Sequence, residues 1–131
     1  MEILSFSFTR IVVKDAKALL VFYCDALGFT QALRVDHGEG DDAFVEYFLS
    51  IKQGMPPQLV LMQYLHRDAP KPGEVVVALQ VDDLDAALDV VIASEGKIAV
   101  PVQDIPEHGM RLSFVEDPEG HAIELIQITS A

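Results

Sequence analysis

The feature that most limits how this chain can fold is an internal repeat. Val13-Lys14-Asp15 and Val81-Asp82-Asp83 each end an apolar, β-branched run, and they stand 68 residues apart. Apolar residues at helical spacing follow both, and three β-rich runs separated by turn signals follow each helix. A repeat of this length predicts two copies of one supersecondary unit. We therefore expect an α+β fold made of tandem βαβββ modules.

Residues 1–131 are predicted to form a single domain of two modules, about 1–65 and 74–131, joined by the proline- and glycine-containing linker 66–73. One helix can cover only one face of a four-stranded sheet. We expect curved, mostly antiparallel sheets around a cupped cavity between the modules, which is a common place for a small ligand. Pairing of the modules within one chain and their exchange in a homodimer both remain open.

Composition and local sequence argue against binding to nucleic acid or an anionic membrane surface, and against secretion or a membrane span. Nine Lys and Arg stand against 21 Asp and Glu, a net charge of −12 that would repel nucleic acid and an anionic membrane surface. Cys24 is the single cysteine, so no intrachain disulfide forms. The N-terminal residues lack the pattern of a signal peptide, and the longest apolar run, Ala18 to Cys24, is too short to span a membrane. These features predict a cytoplasmic protein.

Local signals also predict details of the elements. We expect one helix over Ala16–Leu27 with Gly28 as its C-cap, and a second helix closed by Gly96. His121, directly after Gly120, is expected to turn toward solvent. Cys24 lacks a cationic neighbour in sequence and is expected to be an apolar filler rather than a nucleophile.

Several motifs together resemble the vicinal oxygen chelate superfamily, which includes glyoxalase I, bleomycin-resistance proteins and extradiol dioxygenases. Its first module is similar to Ile11–Asp15, Phe22-Tyr23 and Leu27-Gly28-Phe29. Its second module is similar to Leu79–Asp82 and to Phe114–Leu125, where an Asp-Pro-x-Gly turn leads into a strand that carries a glutamate. The resemblance covers nearly the whole chain.

The resemblance implies a metal site in the metal-dependent members, with two ligands from each module. The corresponding positions here are Phe8, a residue within 58–63 for which Leu61 is the best match, Val76 and Glu124. Of the best matches only Glu124 can donate a lone pair, and within 58–63 only Gln58 or Gln63 could offer an amide oxygen. A transition metal needs at least three well-placed donors. We therefore predict that the metal site is lost and that the protein has no cofactor.

Strand alternation predicts which side chains line the cavity. The predicted ligand-binding residues are Phe8, Arg10, Leu61, Gln63, Val76, Leu112, Phe114 and Glu124. Arg10 and Glu124 are the outstanding charges among them and the candidates for catalysis. They either form an ion pair across the modules, or Arg10 binds a ligand oxygen while Glu124 acts as base or hydrogen-bond acceptor.

These observations predict a metal-free protein that binds a small molecule in the cleft and forms a homodimer. Acidic residues are expected around the cavity mouth, at Asp36, Glu39, Asp41, Asp42, Asp104 and Glu107. They would favour a cationic or planar aromatic ligand. The alternative is a metal-dependent lyase or dioxygenase of the same superfamily, such as a glyoxalase I-like lactoylglutathione lyase.

Overall fold

The repeat appears as two compact units in the computed structural model, which describes residues 1–129. The first unit is Met1–Pro70 and the second begins at Lys71, inside segment 66–73. Within each unit the order of elements is βαβββ, which confirms the predicted α+β class and the tandem modules. Among the described residues, no helix combines the length and hydropathy needed to cross a lipid bilayer.

The first unit contains four strands and one helix. They are β1 (Thr9–Val12), α1 (Ala16–Leu20), β2 (Thr30–His37), β3 (Phe44–Ser50) and β4 (Leu59–Tyr64). A π-helical turn, Val21–Ala26, continues α1 directly. The chain crosses from β1 to the far edge of the sheet and returns through two antiparallel pairings, so the strand order is β1-β4-β3-β2 with β1 and β4 parallel.

The second unit repeats this arrangement. Its elements are β5 (Val76–Gln80), α2 (Leu84–Ala93), β6 (Lys97–Ile105), β7 (Met110–Glu116) and β8 (Ala122–Ile128). The strand order is β5-β8-β7-β6, and β5 and β8 are parallel. Each sheet is therefore mixed, with one parallel and two antiparallel pairings.

The two helices begin with the same pair of contacts. The carboxylates of Asp15 and Asp83 each accept a hydrogen bond, at 3.0 Å, from the backbone N–H three residues later. Gln63 Oε1 accepts from the N–H of Ala16 at 2.8 Å, and Gln127 Oε1 accepts from the N–H of Leu84 at 2.8 Å. An Asp cap and a glutamine from the last strand thus satisfy N–H groups that a helix start leaves free.

The hydrophobic core of each unit lies between its helix and one face of its sheet. In the first unit it contains Ile11, Val13, Leu19, Phe22, Tyr23, Leu49 and Leu61. In the second it contains Leu84, Leu88, Val91, Val115, Ile123 and Leu125. We call the opposite side of each sheet its helix-free face.

The first helix differs from the single α-helix predicted over Ala16–Leu27. After Leu20 the turn widens, and the N–H of Leu27 bonds to the carbonyl of Phe22, five residues back, at 3.0 Å. Within this turn the adjacent aromatic side chains of Phe22 and Tyr23 are both buried, with ring centroids 5.2 Å apart.

Candidate functional site

The helix-free face of the first unit is defined by the register of β1, β4 and β3. Arg10 lies beside Val60, which lies beside Phe48. Val12 lies beside Met62, which lies beside Glu46. Laterally paired residues project to the same side of a sheet. This face therefore carries an arginine and a glutamate among apolar side chains.

Arg10 and Glu46 form an ion pair on this face. Arg10 Nε donates to Glu46 Oε2 at 2.5 Å, and the two side chains are 42% and 6% exposed. This partner of Arg10 is a carboxylate of its own unit, because the diagonal between β1 and β3 brings Glu46 within reach. Sequence reasoning overlooked Glu46, although it is the one charged residue within the apolar strand Phe44–Ser50.

Two phenylalanines adjoin this ion pair. The guanidinium carbon of Arg10 lies 5.2 Å from the ring centroid of Phe8, within the range of a cation–π contact. The Phe8 ring meets that of Phe48 edge to face, with centroids 5.5 Å apart. We call Phe8, Arg10, Glu46 and Phe48 the Arg10 cluster. It combines an aromatic surface with a half-exposed cation.

Leu61 and Gln63 do not lie on this face, which corrects their predicted placement beside Arg10. Leu61 pairs with Ile11 and Tyr47 on the helix side of the sheet and is fully buried. The Gln63 side chain is held by the first N–H of α1. The prediction was wrong by one residue in the strand, because a one-residue change in register exchanges the two faces.

An aromatic group occupies another part of the same face. The rings of Phe44 and Tyr64 are 6.3 Å apart, and that of His37 lies 5.4 Å from Phe44. The guanidinium carbon of Arg67 lies 3.7 Å from the centroid of Tyr64, and Arg67 also pairs with Asp42 at 3.6 Å. Aromatic surface therefore extends beyond the Arg10 cluster, with a second arginine stacked upon it.

In the second unit, the helix-free face brings together most of the residues predicted there. Ala78 lies beside Glu124, which lies beside Phe114, and Gln80 lies beside Ile126, which lies beside Leu112. Val76, two residues before Ala78 on the edge strand β5, projects to the same side and is 51% exposed. Their binding of a ligand stays a prediction.

Register now identifies the position in the first unit that corresponds to Glu124. Glu124 lies beside Ala78, and Val60 lies beside Arg10, which is the counterpart of Ala78 at the 68-residue offset. The glutamines that bond to the helix starts stand three residues after Val60 and Glu124 respectively. The counterpart is therefore Val60 rather than Leu61.

The residues do not fit the metal site that the family resemblance implies. The first unit offers Phe8 and Val60 at the two ligand positions, and neither has a donor atom. The second unit offers Val76 and Glu124, of which one can ligate. Across residues 1–129, no three His, Cys, Asp or Glu side chains gather closely enough to hold a metal ion.

The predicted acidic residues are partly neutralised by arginines. Asp36 pairs with Arg34 at 3.1 Å, and Asp104 pairs with Arg111 at 3.1 Å. Arg111 also donates to Asp85, the largest of the effects that raise its pKa. Asp36 lies beside Val45, and Asp104 beside Arg111, on the helix side of the two sheets. Asp36 and Asp104 therefore do not contribute to a negative rim on the helix-free faces.

The structure also describes the surroundings of two side chains for which the sequence made a prediction, His121 and Cys24. His121 is 11% exposed and its Nε2 lies 3.3 Å from Glu119 Oε1, so it does not face solvent as predicted. Burial, with a smaller effect of Asp25, raises the pKa of the Cys24 thiol. A raised pKa lowers the thiolate fraction, which is the opposite of what a nucleophilic cysteine requires.

Comparison with known proteins agrees with the family resemblance of the sequence over nearly the whole chain. A family model described as the glyoxalase/bleomycin resistance protein/dioxygenase superfamily matches residues 5–125. A Synechocystis protein named "Probable lactoylglutathione lyase" is 30% identical over 129 residues, covering 93% of this chain and 94% of that protein.

Solved structures share the fold at lower sequence identity. A glyoxalase family protein from Bacillus cereus superposes with a TM-score of 0.84 at 17% identity, covering 99% of this chain and 97% of the other. The trypanothione-dependent glyoxalase I of Leishmania major gives a TM-score of 0.74 at 24% identity, with 94% and 86% coverage.

Proposed function

Because the chain belongs to the glyoxalase/bleomycin resistance protein/dioxygenase superfamily, we propose that it binds a small aromatic molecule on the helix-free face of its first unit, without a metal ion. The observation that carries this proposal is the identity of the residues at the family's ligand positions. Phe8, Val60 and Val76 have apolar side chains, and a single carboxylate, Glu124, does not make a transition-metal site.

The Arg10 cluster supports an aromatic ligand. A planar ring placed against Phe8 and Phe48 would bury apolar area and add edge or stacking contacts with both rings. The partial exposure of Arg10 leaves a polar group beside this surface, and a few placed polar groups are what orient a ligand in an otherwise apolar site.

Binding is tested with 2-naphthamide, a neutral aromatic probe, by NMR titration. Phe8→Ala should weaken its binding about 3- to 10-fold, the worth of one aromatic contact. Phe6→Ala is the matched control, because Phe6 stands two residues earlier and is exposed, so its loss should leave the affinity unchanged. Equal affinities of wild type and Phe8→Ala would place any binding elsewhere.

The competing function is a metal-dependent lyase, which the name of the Synechocystis relative favours. After dialysis, the purified chain should hold far less than one Ni, Zn or Fe per molecule, and calorimetric titration with Ni²⁺ should match that of Glu124→Gln. Near-stoichiometric metal, lost in Glu124→Gln and accompanied by turnover of the methylglyoxal–glutathione adduct, would establish the lyase instead.

We also propose a cytoplasmic homodimer. The edge strand β5 carries Val76 half-exposed, and edge strands with apolar side chains tend to pair. Light scattering should then give twice the 14.4 kDa of one chain. Val76→Lys should shift the mass toward that of the monomer, whereas Ile92→Lys, at an exposed position of α2, should not. A monomeric wild type would refute the dimer.

A further inference from the structure

We propose that the terminal Nη atoms of Arg10 bind the carboxylate of an aromatic acid whose ring lies against Phe8 and Phe48. The inference rests on the proposed function of the helix-free face and names the chemical class of its ligand. It assigns to Arg10 a role in addition to its ion pair with Glu46.

The first step is the way Arg10 uses its hydrogen-bond donors. A guanidinium has five N–H groups, and the structure engages the one on Nε with Glu46. Among the residues described, no side chain or backbone carbonyl accepts a hydrogen bond from Nη1 or Nη2 of Arg10. These atoms form the planar edge of the guanidinium that carboxylates bind with two parallel hydrogen bonds.

The second step is the difference in burial across the ion pair. Glu46 is 6% exposed, whereas Arg10 is 42% exposed. The buried carboxylate therefore holds the arginine from the protein side and leaves the cation accessible. An arginine fixed in this way loses less conformational entropy when it binds a ligand than a free surface arginine does.

The third step is the local sign of charge. A cationic ligand at the Arg10 cluster would meet a half-exposed arginine, while Glu46 is shielded. Asp36 and Asp104, which were expected to attract a cation, lie on the helix side of their sheets in pairs with Arg34 and Arg111. The net charge of −12 acts over the whole surface, but the exposed member of the ion pair at this cluster is the cation.

Three probes with one ring system test this inference. They are 2-naphthoate, the neutral 2-naphthamide and the cationic 2-naphthylmethylammonium, each titrated by calorimetry against the full chain. We expect 2-naphthoate to bind about 10- to 100-fold more tightly than 2-naphthamide, as for hydrogen bonds between charged groups. The ammonium probe should bind most weakly. In ¹⁵N spectra, the Arg10 Nε–H resonance should shift with 2-naphthoate.

Variants assign the preference to Arg10. Arg10→Met alone leaves Glu46 buried without its partner, so the test uses Arg10→Met/Glu46→Gln, which removes both charges. This double variant should bind 2-naphthoate and 2-naphthamide equally. Arg34→Gln is the matched control, because Arg34 lies on the opposite face of the sheet and its loss should leave the preference intact.

The outcomes separate this inference from the function on which it rests. If 2-naphthamide binds wild type as tightly as 2-naphthoate, or the double variant keeps the preference, the role of Arg10 is refuted while aromatic binding stands. Tightest binding of the ammonium probe also refutes it. If none of the three probes binds, the proposed function of this face fails as well.

Discussion

Removing one member of the ion pair between Arg10 and Glu46 should destabilise the protein by different amounts, depending on which member is removed. Arg10→Met leaves a 6% exposed carboxylate without its cation, whereas Glu46→Gln leaves a 42% exposed guanidinium that water can still solvate. Breaking a buried pair costs about 3–5 kcal/mol. Because Arg10 is partly exposed, we expect Arg10→Met to lower the free energy of unfolding by about 2–3 kcal/mol and Glu46→Gln to lower it by about 1 kcal/mol.

The double variant Arg10→Met/Glu46→Gln should be more stable than Arg10→Met alone, because it no longer buries an unpaired charge. Urea unfolding followed by circular dichroism measures all three variants. With a slope of about 2 kcal/mol/M, Arg10→Met should lower the midpoint by about 1 M. Since the chain has two units, the comparison requires that one transition with an unchanged slope describes every variant.

Arg34→Met is the control for the loss of an arginine from the same sheet. Arg34 and Asp36 are both largely exposed, so breaking their pair should cost less than about 0.5 kcal/mol. The reasoning fails if Arg10→Met is no less stable than Arg34→Met. It also fails if Glu46→Gln costs more than Arg10→Met, because the burial of the carboxylate would then not govern the energetics.

Three further predictions concern local structure. Gln63→Leu and Gln127→Leu should each lower the free energy of unfolding in urea by about 1 kcal/mol, since each leaves the first N–H of a helix without its acceptor. A loss of stability in only one of the two variants would contradict their equivalence. Glu95 has a φ of 70°, so Glu95→Gly should raise the melting temperature by relieving about 0.5–1 kcal/mol of strain, whereas Glu74→Gly outside the helices and strands should not. Burial and, to a smaller extent, Asp25 raise the pKa of the Cys24 thiol from 9.0. At pH 8 the thiol of the folded protein should therefore react with iodoacetamide more slowly than that of the protein unfolded in urea, and Asp25→Asn should speed the reaction of the folded protein. Equal rates in the folded and unfolded protein would contradict this.

Features encoded by neighbouring residues could be predicted from the sequence. The caps Asp15 and Asp83, the turn after Asp117 and the βαβββ order are each specified within a few positions of the chain. The end of the second helix shows the limit of such signals. Gly96 was expected to close it, yet the left-handed residue is Glu95, while the N–H of Gly96 bonds back to Val91 at 2.9 Å.

Features that depend on pairing between distant strands could not be predicted in the same way. The helix starts at Ala16 and Leu84 keep the 68-residue offset, but the glutamines Gln63 and Gln127 in the last strands stand 64 residues apart. The first unit therefore has four more residues between its helix start and its last strand. An offset measured at the first strands cannot locate a residue in the last ones, and strand alternation converts an error of one residue into the wrong face.

The candidate site depends on that register. Once Val60 rather than Leu61 occupies the place beside Arg10, the neighbouring strand brings Phe48 and Glu46 to the same face. Arg10 then has a buried partner within its own unit, which its Nε atom contacts. Glu124 is left as a half-buried carboxylate beside Phe114 and Ala78. A one-residue shift in β4 thus changes which side chains share the face of Arg10, and with them the carboxylate that its guanidinium meets within the first unit.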